Sequence, residues 1–130
     1  MTGLPDSASG TTAGAAAGKA NRLWWVALGV ALAVQLVTLY SPEVVGAPQI
    51  AGMDKVVHVF VFAAPAMAAL LAGISAPWAI GILAVHAPLS ELIQHFALSH
   101  RSGDMSDVLA DFVGVALGWS AFLVWRRRQP

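Results

Sequence analysis

Four apolar runs, Leu23 to Tyr40, Val56 to Ile74, Trp78 to about Leu98 and Val108 to Trp125, separated by short polar connections, restrict the folds open to this chain more than anything else in it. The first holds 18 residues without a formal charge. Each run has the length an α-helix needs to cross a hydrocarbon core about 30 Å thick. Backbone N–H and C=O groups in lipid must be bonded within their own segment, so such runs fold as helices. Short connections make consecutive helices antiparallel neighbours. The expected fold is all-α: a four-transmembrane-helix bundle over 23–125, a disordered N-terminal tail over 1–22 and a basic C-terminus over 126–130. The chain is 58% hydrophobic and only 11% charged, whereas soluble domains have about 45–50% apolar and about 25% charged residues.

Residues 1–22 are rich in Ala, Gly, Ser and Thr, with too few large apolar side chains to offset ordering. The run that follows is longer than a signal-peptide core and lacks an immediate small-x-small cleavage site, so it is expected to be a retained first span. Lys19, Arg22 and Arg126 to Arg128 flank one side of the bundle, and only Lys55 and Arg101 the other, which predicts cytoplasmic termini. Trp24, Trp25, Trp78 and Trp125 fall at the expected inner interface and Tyr40 at the outer one, with Trp119 as the exception. A multi-pass protein of the cell membrane is therefore expected. Seven basic residues balance seven acidic ones, so no overall charge recruits nucleic acid, and the absence of cysteine excludes disulfides and thiolate metal sites within the chain.

Against this background the polar residues inside the runs stand out. Asp104, Asp107, Asp111, Gly114 and Gly118 recur at steps of three and four, one stripe of a helix with an acidic outer half and a glycine inner half. Gly114-xxx-Gly118 permits close approach of another helix, within the bundle or between protomers. Asp54 and His58 are i, i+4 neighbours with Lys55 beside them, and Glu91, Gln94 and His95 follow at i, i+3 and i+4. Helical rise puts Glu91 about 20 Å above Trp78, Asp111 about 21 Å above Trp125 and His58 about 24 Å above Ile74. Three helices thus carry polar side chains to one level near the extracytoplasmic surface, and Glu91, Arg101, Asp107, Asp111 and His58 are expected around one outward-opening cavity. His86 and Gln35, single polar residues in mid-helix, are expected to make ordinary interhelical hydrogen bonds.

Asp54-Lys55-x-x-His58, Ser90-Glu91-x-x-Gln94, and Arg101 with Asp104, Asp107, Asp111, Gly114 and Gly118 resemble, in order and spacing, the three motif blocks of the VanZ-like family. The resemblance spans residues from about 23 to 125. Asp111 stands where Asn is most often expected in that family. The resemblance implies a small polytopic bacterial membrane protein, and the founding member is associated with resistance to the glycopeptide antibiotic teicoplanin.

The local chemistry narrows the function classes. Asp54, Glu91, Asp104, Asp107 and Asp111 outnumber Lys55 and Arg101 beside a low-dielectric region, and carboxylates there need protonation, water, charged histidine or a cation. A divalent cation is one solution: carboxylates with Gln94 suit Mg²⁺, Mn²⁺ or Ca²⁺, while His58 or His95 also admits Zn²⁺. The metal, if any, is not identified by the sequence, and Asp54, Asp104 and Asp107 are equally candidates for a structural network with Lys55 and Arg101. The leading expectation is a site acting on lipid-linked head groups at the outer leaflet by phosphodiester hydrolysis or transfer. His58, Glu91 and Asp111 would be its reacting groups, with Arg101, Gln94 and Lys55 binding substrate. The alternatives are a non-catalytic protein that binds lipid or antibiotic, and a small proton-coupled transporter. The oligomeric state is left open.

Overall fold

A computed structural model of the chain describes residues 8–41, 50–98 and 104–129, with side chains from residue 18 onward in the first of these segments. It consists of helices α1 (Ala8–Tyr40), α2 (Met53–Leu71), α3 (Ala76–Ala97) and α4 (Met105–Arg127), with no strand among the described residues. All four are long and apolar enough to cross a membrane, the candidate span of α1 being Gly18–Tyr40. Large apolar side chains point outward along them: Phe60 is 69% exposed, Trp78 70% and Phe96 79%. In water that surface would be a liability, but in lipid it is the solvated face.

The helix ends differ from the apolar runs for local reasons. Of residues 1–22, expected as a disordered tail, 1–7 lie outside the described residues and Ala8 onward belongs to α1; alanine is the best helix former, while residues 18–23 are exposed and gain nothing from packing. α2 stops at Leu71 rather than Ile74 because Gly73 takes a left-handed φ of 92°, and the amides of Gly73 and Ile74 bond back to Leu70 and Ala69. α3 starts on Pro77 in its first turn, where a missing N–H costs nothing. α4 starts at Met105, three residues before the apolar run, because Asp104 caps it by accepting from the Ser106 N–H at 3.0 Å.

α2 lies at the centre, in contact with each of the other helices, and packs most extensively on α4. Their register can be followed along both chains: Lys55 meets Asp107, His58 meets Asp111, Gly114 faces Val59 and Phe62, and Gly118 faces Ala63 and Ala66. Residue numbers rise together, so α2 and α4 run parallel. A Cβ at Gly114 would strike the Val59 carbonyl oxygen, and one at Gly118 that of Ala63. The glycines thus permit backbone-to-backbone contact, the main source of attraction where lipid removes any hydrophobic drive between helices. Phe62, Ala66, Ala87, Leu39 and Val115 fill the core beneath the Asp111 level. Leu28, Ala68, Ala69, Leu70 and Ala79 fill the other end, where Trp24 and Trp125 meet edge to face at 6.5 Å.

Replacing Gly114 by Ala should therefore destabilise the protein by about 1–3 kcal/mol through overpacking. Gly81→Ala, with nothing within 4 Å of the new Cβ, should leave stability unchanged or raise it by up to about 1 kcal/mol. Unfolding of both variants in detergent, read by circular dichroism, checks the difference.

Candidate functional site

The first turns of α2 and α4 and the last turns of α3 meet at one end of the bundle. His58 is five residues from the start of α2, Asp111 six from the start of α4 and Glu91 six from the end of α3, which places all three roughly 8–9 Å in from a helix end. Their side chains turn inward: Asp111 is 0% exposed, Glu91 5% and His58 6%.

His58 Nδ1 lies 2.8 Å from Asp111 Oδ1 and 3.7 Å from Glu91 Oε1. The shorter contact is a hydrogen bond that holds the imidazole across the α2–α4 interface. Glu91 Oε2 accepts the backbone N–H of Asp104 at 3.0 Å, which ties the end of α3 to the cap of α4. Glu91 Oε1, Asp111 Oδ2 and Gln94 Nε2 are buried without a hydrogen-bond partner among the described residues. Nearer the surface, Lys55 Nζ sits 3.1 Å from Asp107, 3.2 Å from Asp54 and 3.8 Å from Asp104. Asp104, outside the spans, has its carboxyl below the usual range, first because the Ser106 hydroxyl donates to it and then because of the Ser106 amide and Lys55. His58, Glu91 and Asp107 each offer a ligand atom, and these atoms all lie within 4.8 Å of one another.

Of the residues singled out in the sequence, His58, Glu91, Asp107 and Asp111 come together, Gln94 is buried on the same face of α3 as Glu91, and Lys55 covers the group with Asp54 and Asp104. Arg101 lies outside the described residues. His95 does not join: it is exposed, its ring edge-on to Phe96, because consecutive helical residues diverge by about 100° and Gln94 takes the inward position. Asp104 is a cap rather than part of the helical stripe. His86 bonds the Tyr40 hydroxyl of α1 at 3.0 Å, the interhelical partner expected of it. Gln35 departs from expectation: it is fully buried and neither amide atom has a partner among the described residues, for which nothing in the structure supplies a reason.

Two contributors escaped the sequence reading, the Asp104 backbone amide and Ser106. Asp104-x-Ser106 before an apolar run is an N-cap signature, and recognising it would have separated Asp104 from the stripe.

Compared with protein-family models, curated proteins and solved structures, the chain has no match in any of the three.

His58 and Asp111 are coupled by a buried contact, so a double-mutant cycle of His58→Ala and Asp111→Ala should return an interaction energy of about 1–3 kcal/mol in unfolding measurements. Additivity within about 0.5 kcal/mol would show that the pair does not hold α2 to α4.

Proposed function

We propose that this chain is a VanZ-like membrane protein whose polar mouth acts on phosphodiester-linked lipid head groups at the outer leaflet, by hydrolysis or transfer. One observation carries the reading: a buried histidine held by one carboxylate at 2.8 Å, with a second carboxylate at 3.7 Å, assembled from three membrane-spanning helices. A structural contact needs only one of those acids. Proton transfer and nucleophile activation use both, one to orient the ring and one to handle a second proton. In hydrolysis the oxygen of water bonds to phosphorus while His58 takes its proton. The bond to the departing oxygen breaks, and that oxygen receives a proton from the site. In transfer an alcohol replaces the water.

The rim supplies the anion contact. Lys55 reaches three carboxylates from a partly exposed position, so a phosphate can replace one of them without an ammonium being buried afresh. Arg101, in the connection between α3 and α4, adds a guanidinium suited to bidentate phosphate binding. Gln94 supplies an amide donor that has no other partner among the described residues.

Lipid profiling of cells with and without the gene tests the chemistry. An altered head-group or carrier-lipid pool is expected, reproduced by His58→Gln and by Glu91→Gln at unchanged protein level, each lowering turnover by about 10²–10⁴-fold. Unchanged lipids together with altered antibiotic binding would replace the catalytic reading with a binding protein.

The outer-leaflet assignment has its own test. The chain has no cysteine, so single cysteines at Gly46 and Ser102 should label with an impermeant reagent in intact cells, and one at Ser9 should not. The opposite pattern would put the site on the cytoplasmic face and remove the outer-leaflet substrate.

A further inference from the structure

We infer that the mouth of the bundle is a binding site for a first-row divalent cation of the Zn²⁺ or Mn²⁺ type, with His58, Glu91 and Asp107 as its protein ligands. The inference deepens the head-group reading by naming a cofactor for the same site, but it does not depend on the reaction.

Geometry comes first. The three ligand atoms lie within 4.8 Å of one another and come from three different helices, α2, α3 and α4. Ligands about 2.0–2.2 Å from a common ion stand roughly 3–3.5 Å apart, so side-chain rotation of an ångström or so closes the set. All three residues are buried, at 6%, 5% and 9% exposure, which sets them apart from carboxylates that cluster on a wet surface.

An independent observation comes from Asp111, which is not among the three ligands. It is 0% exposed and bonded through Oδ1 to His58, and its Oδ2 has no partner among the described residues. Glu91 Oε1, 3.7 Å from the imidazole, has none either. Buried carboxylate oxygens without donors are among the costliest groups to leave unanswered. Lys55 does not answer them: its ion pairs are with Asp54, Asp104 and Asp107, and none reaches Glu91 or Asp111. His58 meets both acids through Nδ1, so an ion held by Nε2 would leave Nδ1–H on Asp111, the arrangement in which a carboxylate orients a metal-bound imidazole, and would complete Glu91.

The donor set selects the ion. Ca²⁺ takes six to eight oxygens and Mg²⁺ prefers oxygen ligands with several waters, whereas an imidazole with two carboxylates suits Zn²⁺ or Mn²⁺. With such an ion bound, His58 and Glu91 would act as ligands in place of the proton-handling roles given them above, and the ion would supply the nucleophile by lowering the pKa of a water in its open position.

The test uses the full-length protein purified in detergent, stripped with a chelator and titrated separately with Zn²⁺, Mn²⁺, Mg²⁺ and Ca²⁺ by calorimetry and elemental analysis. One Zn²⁺ or Mn²⁺ per chain is expected, with Glu91→Gln and Asp107→Asn each weakening binding roughly tenfold or more. His95→Ala, an exposed histidine outside the group, should bind as the parent does. Should either ligand variant fail to fold, X-ray absorption at the zinc edge of the unaltered protein decides, since it must show a single imidazole among oxygen ligands. No binding, binding of Mg²⁺ or Ca²⁺ alone, binding untouched by both substitutions, or a shell without imidazole would overturn the inference. Metal binding with unchanged cellular lipids would leave this site standing and remove the head-group reaction. Lipid turnover by a protein that binds none of the four ions would do the reverse.

Discussion

A carboxylate beneath the surface of a membrane bundle has no water shell, so the protein must answer it, and at Asp111 the answer is the His58 imidazole at 2.8 Å. That contact depends on how closely α2 and α4 approach. Gly114 and Gly118 sit one and two turns below Asp111 on the same face, and their missing side chains let the α2 backbone come up to α4. Larger residues there would widen the interface and carry His58 away from its acid. The packing motif and the polar site are therefore one device: close approach is made in the lower turns and used in the upper ones.

α3 enters this device through Glu91, whose two oxygens do different jobs. One accepts the amide of Asp104 and so fixes the end of α3 to the start of α4; the other faces His58 without a donor among the described residues. The cap of α4 is thus also the tether of α3. Because Asp104 spends its side chain on Ser106 and its backbone amide on Glu91, the approach from α3 to α4 is held by the same residue that begins the last span. Side chains carried on helix ends are positioned more firmly than side chains on the loops between them.

Hydrocarbon thickness and helical rise made much of this legible from the sequence. Four spans followed from four apolar runs, and counting 1.5 Å per residue was enough to put His58, Glu91 and Asp111 at one level. Helical spacing says which residues share a face but not which helix that face meets. The glycine stripe accordingly announced a close neighbour without identifying α2, and nothing in the spacing said that Lys55 would gather three acids while, among the described residues, no Lys or Arg pairs with Glu91 or Asp111. Gln94 and His95 show the limit at single-residue scale: both suited the site chemically, and only the phase of α3 on α4 decided that the amide turned in and the imidazole out. Gln35 shows it from the other side, since a buried amide was expected to find a partner and has none among the described residues.

Electrostatics links the two functional readings. A phosphate entering beside Glu91, Asp107 and Asp111 meets carboxylates at a few ångströms, and each such repulsion is worth about 1 kcal/mol in water and about 4 kcal/mol near a protein surface at 4 Å. Lys55 offsets only part of this, because one ammonium is already shared among three carboxylates. Protonating the acids would remove the repulsion but also the groups that accept protons from a nucleophile. A bound divalent ion changes the sign of the local field while leaving the carboxylates ionised as its ligands. Phosphate chemistry at this mouth is thus far easier to reconcile with a cation in place than without one, and the oxygens of Glu91 and Asp111 that have no partner among the described residues are where its absence would be felt.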